Sequence, residues 1–171
     1  AGIAPDPSVL ALTQRQAEYG RPVGTYIAGA VSPGRLSGGA QQMVRWAETL
    51  SAIEKQFGVD PAIVVAIWGM ESGFGAAPGG KDIIRSLVTL AASGYREEFC
   101  REELLHALVI LQEGHIARDR MTGSWAGAMG QPQFLPSSYL DHAVDFDGDG
   151  RADIWNSAPD TITSIANYLK N

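Results

Sequence analysis

Two groups of residues in this 171-residue chain have types and spacing suited to chemistry. The first is a single carboxylate, Glu71. It ends the apolar run Ala62-Ile-Val-Val-Ala-Ile-Trp-Gly-Met70 and is followed by Ser72-Gly-Phe-Gly75. A carboxyl group at the C-terminal end of a buried helix loses solvation and faces the negative end of the helix dipole. Both effects disfavour its charged form and raise its pKa. A carboxylic acid that keeps its proton near neutral pH is what general-acid catalysis needs. The plain alternative is a solvated helix end or a salt-bridge partner.

The second group is Asp145-Phe-Asp-Gly-Asp-Gly-Arg-Ala-Asp153. Counted as an EF-hand loop, Asp145, Asp147, Asp149 and Asp153 fall at positions one, three, five and nine. Gly150 takes the sharp turn at six, and Arg151 offers its carbonyl from seven. Carboxylates converging on one point repel without a cation. Hard oxygen donors in a flexible loop select calcium over zinc, and less sharply over magnesium. Position twelve is Asn156 where a bidentate Glu is usual. Asp160, four residues later, is the candidate to supply the missing carboxylate in an enlarged loop. A single loop of this kind suits a structural calcium rather than a sensor.

The elements that position these groups read as helices. Asp60 is a suitable N-cap and Pro61 a suitable first residue for a helix through Met70, which Gly73 and Gly75 stop. With no polar face this helix is expected to be buried all round. It is too short to span a bilayer. Before it, Ser8 to Tyr19 predicts a short helix, Tyr26 and Ile27 are candidate packing residues, and Ser32 to Gly39 reads as loop. Ala40 to Phe57 reads as one amphipathic helix that makes a hairpin with the core helix. After it come helices over 82–92 and 97–117, a helical turn from Ser137, and a last helix over 160–170. No strand alternation and no internal repeat stands out.

The composition is that of a globular domain, 45% hydrophobic and 19% charged, with 20 glycines and 9 prolines implying many turns. Residues 1–171 suit a single domain. The net charge of -6 argues against a nucleic-acid partner. No apolar run is long enough for a transmembrane segment, and a signal peptide is absent or already removed. The single cysteine, Cys100, sits in an amphipathic pattern as core filler. His106 and His115 are too far apart for an i,i+4 ligand pair.

Met121 to Phe134 changes character. In Gly123-Ser-Trp-Ala-Gly-Ala-Met-Gly-Gln-Pro-Gln-Phe-Leu-Pro136, small residues let backbones and a ligand come close. Trp125, Gln131, Gln133 and Phe134 are aromatics and amides of the kind that line a sugar cleft. The alternative is a loop at a close helix crossing.

Taken with Ala66-Ile-Trp-Gly-Met-Glu-Ser-Gly-Phe-Gly75, the acidic loop, Ile165-Ala-Asn-Tyr-Leu169 and the lead-in from Gly2-Ile3 through Arg15-Gln16-Ala-Glu18 and Tyr26, this segment resembles the membrane-bound lytic transglycosylase B family. The resemblance spans nearly the whole chain, with several separated motifs in the same order. It implies a mainly α, lysozyme-like catalytic domain, here carrying an EF-hand-like calcium loop. It also implies non-hydrolytic cleavage of the β-1,4 bond between N-acetylmuramic acid and N-acetylglucosamine in peptidoglycan. The single catalytic acid falls on Glu71, and no cofactor serves catalysis. Glycosidases that use two carboxylates place a second Asp or Glu across the bond; none accompanies Glu71 in its motif or lies within 123–134. The family's glycan contacts fall on Ser124, Met129, Gln133, Phe134 and Tyr168, of which Met129 and Tyr168 are equally readable as core. Where many members carry paired arginines, this chain has Tyr95-Arg96, so only Arg96 carries over as a candidate for stem-peptide carboxylates.

Members usually continue for on the order of a hundred residues more, so the domain is expected to be C-terminally shortened. Two other functions remain open at this point: a hydrolytic muramidase using water at the same site, and a calcium-stapled peptidoglycan-binding module without turnover. The expected partner is the peptidoglycan glycan strand, the expected state a monomer. The expected location is the periplasm, with a lipid anchor allowed through a removed N-terminus.

Overall fold

The computed structural model describes residues 2–14 and 22–170. The Arg15–Glu18 stretch of the lead-in and the expected helix beyond Gln14 lie outside these residues. Among the described residues the chain forms α1 (Pro7–Thr13), α2 (Val23–Ala30), α3 (Pro33–Arg45), α4 (Ala47–Phe57), α5 (Pro61–Ser72), β1 (Lys81–Asp82), α6 (Ile83–Ala92), α7 (Glu97–Gln112), β2 (Thr122–Gly123), α8 (Pro136–His142) and α9 (Ala158–Lys170). The fold is mainly α, as expected. β1 and β2 pair antiparallel, with Lys81 opposite Gly123 and Asp82 opposite Thr122. Two-residue strands are too short to leave a period in the sequence.

The ends of α5 follow from local chemistry. The Asp60 carboxylate accepts the Ala62 N–H at 2.8 Å, Pro61 fills the first turn, and Gly73 closes the helix at φ 59°, a left-handed conformation that glycine adopts at no steric cost. The burial of α5 departs from expectation. Val64, Val65, Trp68, Gly69 and Ser72 are buried, but Ile63 and Met70 remain 51% and 49% exposed. The elements packed on α5 are α3, α4 and α9, and they cover the Val64–Trp68 side. The outer side is apolar in type yet open. Each fully buried side chain of this kind contributes about 1.5–3 kcal/mol, so the covered side suffices to hold the helix.

Two segments correct the sequence reading further. Residues 33–39 are helix, not loop, with Ser32 as the N-cap: Ser32 Oγ accepts the Arg35 N–H at 3.3 Å, and Pro33 opens α3. The glycines that suggested a loop serve packing instead. A Cβ at Gly38 would fall 2.7 Å from the Phe74 ring. The expected single helix over 40–57 breaks at Trp46, where φ is -110° and ψ 24°. The turn lets α3 pack on α5 while α4 packs on α9; the apolar spacing runs through the break and hides it. Tyr26 and Ile27, expected to pack, are exposed on α2, which buries none of its residues. α7 ends at Gln112 rather than 117, just before Gly114 at φ 78°.

Two apolar cores result. One gathers Val9, Ile83, Leu87, Leu90, Ile110, Met121, Met129, Tyr139 and Ile154, with Cys100 among them as filler. The other gathers Leu50, Ile53, Val64, Val65, Trp68, Ile162 and Ile165. The lead-in is pinned to the first core through α6: the Asp6 N–H donates to Thr89 Oγ1 at 2.9 Å, and Arg85 donates to the carbonyls of Ala4 and Pro5. No described helix is long and apolar enough to cross a membrane.

Candidate active site

Glu71 sits in the last turn of α5, at the seam between the two cores. Its side chain opens into a cleft of about 340 Å³ whose other walls include Ile67, Gln133, Phe134, Ser138 and Tyr168. Among the described residues lining this cleft, Glu71 is the single carboxylate. It reaches solvent, yet desolvation on its inner side pushes its carboxyl up from the ordinary value of 4.5. The turn that carries it is pinned from behind. Ser72 Oγ donates to Trp68 O at 3.4 Å and accepts the Gly75 N–H at 3.0 Å. Phe74, held at φ 61°, meets Trp68 edge to face with centroids 5.7 Å apart.

The facing wall comes from the small-residue segment, folded as a tight hairpin. Met129 and Phe134 exchange both backbone hydrogen bonds, at 2.7 and 3.1 Å, and the Ser124 N–H donates to Ala128 O at 2.7 Å. Gln133 stands at φ 52°, and its amide donates to Pro78 O at 2.8 Å and to Gly130 O at 2.7 Å. Both its N–H groups are thus used, so what it has to offer a ligand is the amide oxygen. The Phe134 and Tyr168 rings lie 5.5 Å apart and place an aromatic surface next to Glu71.

Gln133, Phe134 and Tyr168 therefore share the cleft with Glu71, while Ser124, Met129 and Arg96 do not line it. Met129 is fully buried in the first core, the reading as core that its apolar side chain also allowed. Ser124 caps its own loop, accepting the N–H groups of Ala126 and Ala128. Arg96 opens α7 at φ 44° with its guanidinium 3.9 Å over the Phe99 ring. Ile67 and Ser138 were not singled out by sequence reasoning. Ile67 stands four residues before Glu71, so it shares its helix face, and that signal was available. Ser138 is brought in by α8 and had no local signal.

The acidic loop divides the expected ligands in two. Asp145, Asp147 and Asp149 bring one carboxylate oxygen each within 4.8 Å of one another. Gly150 holds φ 92° at the sixth position, and the N–H groups of Gly148 and Gly150 donate to the Asp145 carboxylate at 2.7 and 2.8 Å. This donor set, hard oxygens with a glycine turn, fits calcium. Asp153 and Asp160 are not in that cluster. Asp153 Oδ1 accepts the N–H groups of Trp155 and Asn156. Asp160, 1% exposed, accepts the Phe146 N–H at 3.0 Å and the Asp153 N–H at 2.9 Å, tying both ends of the loop to α9. An amide at 160 would keep one acceptor but aim an NH2 group at a backbone donor. Asp160→Asn is therefore expected to cost about 1–2 kcal/mol, read as a fall in Tm of roughly 2–8 °C.

A mainly helical domain with one cleft carboxylate behind a small-residue hairpin is the class defined by this fold and site. The chain belongs to the Transglycosylase SLT domain family, whose model matches residues 1–171. It is similar to the membrane-bound lytic murein transglycosylase B of Escherichia coli (strain K12), at 36% identity over 141 residues, which cover 82% of this chain and 39% of that one. Among solved structures, it resembles SltB3 from Pseudomonas aeruginosa in complex with NAG-NAM-pentapeptide, at 49% identity and TM-score 0.94, over 99% of this chain and 45% of that one. It also resembles the Escherichia coli lytic transglycosylase Slt35 in complex with calcium, at 34% identity and TM-score 0.86, over 96% of this chain and 53% of that one. The chain thus spans about half the length of these relatives or less.

Proposed function

We propose that residues 1–171 form the catalytic domain of a lytic murein transglycosylase, acting as a monomer on peptidoglycan outside the cytoplasmic membrane. The observation that carries this reading is the Glu71 carboxyl, the one carboxylate among the described residues lining its cleft, raised in pKa and facing an aromatic wall, in a chain whose relative SltB3 was solved with NAG-NAM-pentapeptide. Protonated Glu71 donates its proton to the oxygen of the β-1,4 bond as that oxygen leaves the muramic anomeric carbon. The resulting carboxylate takes the proton of the muramic 6-hydroxyl, whose oxygen bonds to the anomeric carbon. A 1,6-anhydro end forms, Glu71 is protonated again, and no water is consumed. Phe134 and Tyr168 offer apolar faces to the sugar ring, and the Gln133 amide oxygen accepts from an N-acetyl N–H or a hydroxyl. Ser124 and Arg96 serve further along the strand, Arg96 toward a stem-peptide carboxylate. Incubation with purified sacculi tests the reading: soluble glycan fragments are expected, and binding without release would leave a binding module.

The acidic loop in this reading holds a structural calcium through Asp145, Asp147, Asp149 and the Arg151 carbonyl, while Asp160 braces the loop by accepting from Phe146 and Asp153 and the Asp153 carboxylate holds the turn at 155–156. Support comes from the converging oxygens and from the calcium complex of Slt35. Calcium is expected to raise Tm, and a chelator to lower it. Superimposable melting curves with calcium and with chelator would contradict the assignment.

A further inference from the structure

Gln131 does not line the cleft; it is 7% exposed and makes three hydrogen bonds to two other segments. Its Oε1 accepts the indole N–H of Trp68 at 2.9 Å, its Nε2 donates to Trp155 O at 3.1 Å, and its backbone N–H donates to Ile154 O at 2.9 Å. The amide orientation is set by chemistry: an indole N–H only donates and a carbonyl only accepts. Trp68 lies one turn before Glu71 and belongs to one core; Met129 and Ile154, flanking Gln131 in sequence and space, belong to the other. The same amide lies against the Gly75 backbone, close enough that a Cβ there would fall 2.5 Å from Oε1. Gly73 and Gly75, which follow Glu71, have no side chains with which to hold the turn. Within the turn, Ser72 and Phe74 tie it to Trp68 and to the Gly75 backbone, and Gln131 holds Trp68 and lies against Gly75 from outside it.

We infer that Gln131 is a positioning residue for Glu71, a buried amide that fixes the carboxylate-bearing turn of α5 against the cleft hairpin and the Ile154–Trp155 segment. The inference rests on Glu71 being the catalytic acid, and it concerns a residue that touches no substrate. Gln131 acts through Trp68 and Gly75, so its loss releases the carboxylate from its working position while leaving the cleft surface in place.

Two variants test it. Gln131→Met keeps the volume and removes both side-chain hydrogen bonds; Trp68→Phe removes the indole donor from the other side. The readouts are kcat and KM on a soluble glycan fragment, taken well below the melting transition, and the NMR resonance of the Glu71 side-chain carboxyl carbon. Each variant is expected to lower kcat at least tenfold with KM within twofold of wild type, and to shift or broaden the Glu71 resonance. The double variant is expected to lose little more than either single one, because the two residues share one interaction. An unchanged kcat together with an unchanged Glu71 resonance in Gln131→Met would overturn the inference. If the wild-type chain releases no product, the functional reading falls instead, and the Glu71 resonance still decides whether Gln131 sets the turn.

Discussion

Glu71→Gln is expected to lower product release from purified sacculi by roughly 10²–10⁴-fold, the range over which a positioned acid or base accelerates a reaction. The amide can neither give the glycosidic oxygen a proton nor take one from the 6-hydroxyl, so both halves of the proposed cycle stop. No other carboxylate among the described residues lines the cleft to take over. The variant should still fold, since Glu71 is exposed and is not among the buried residues of α5. The raised pKa gives this prediction a second limb. A group whose pKa rises on folding contributes stability that is present below its unfolded value and is lost as pH rises through the folded one. Wild type should therefore lose stability relative to Glu71→Gln as pH climbs from 4.5 through the raised value. Melting curves of the two proteins should converge in acid, with wild type at or below the variant at neutral pH. A wild type that gains on the variant as pH rises would mean that the carboxylate is favoured by a partner rather than disfavoured by desolvation.

Gly69→Val is expected to cost about 3 kcal/mol, the upper end of the range for overpacking, and to lower Tm by roughly 6–12 °C. A Cβ on Gly69 would lie 2.6 Å from the Phe74 ring, and the ring has little room to swing away, because the α3 backbone at Gly38, where an added Cβ would itself fall 2.7 Å from the ring, packs on it and Trp68 meets it edge to face. The informative control is Gly39→Ala. There a Cβ meets Phe74 at 3.7 Å and Val65 at 3.9 Å, which is ordinary contact, inside a helix that prefers alanine to glycine by about 1 kcal/mol. Opposite signs for the two substitutions are expected in thermal melts. Equal destabilisation at both positions would mean that the ring is not wedged.

What the sequence made legible is what short-range chemistry decides. Asp60, Pro61 and Gly73 bound α5 because capping needs only neighbours, and Glu71 stands at its end for the same reason. The aspartates at loop positions one, three and five converge because their spacing alone brings them together. The resemblance of ordered motifs carried the family assignment. Illegible were features decided by distant partners. Gly38 and Gly39 look like loop residues until Phe74 packs on them. Met129 looks like a cleft residue until the hairpin turns it into the first core. Asp160 suits a metal ligand by spacing, and nothing local marks that its two oxygens accept from the Phe146 and Asp153 N–H groups. The outer side of α5 was expected to be buried because its residues are apolar, and apolar type says nothing about whether another element arrives to cover it. The Trp68–Gln131 bond joins residues 63 positions apart, and no local pattern marks it.

The central claim is that Glu71 directs the muramic 6-hydroxyl, rather than water, to the anomeric carbon. Mass analysis of the fragments released from purified peptidoglycan in oxygen-18-enriched water tests it most directly. Anhydro ends, one water lighter than reducing ends and free of heavy oxygen, are the predicted result. Reducing ends that carry the heavy label would contradict it and make the chain a hydrolytic muramidase.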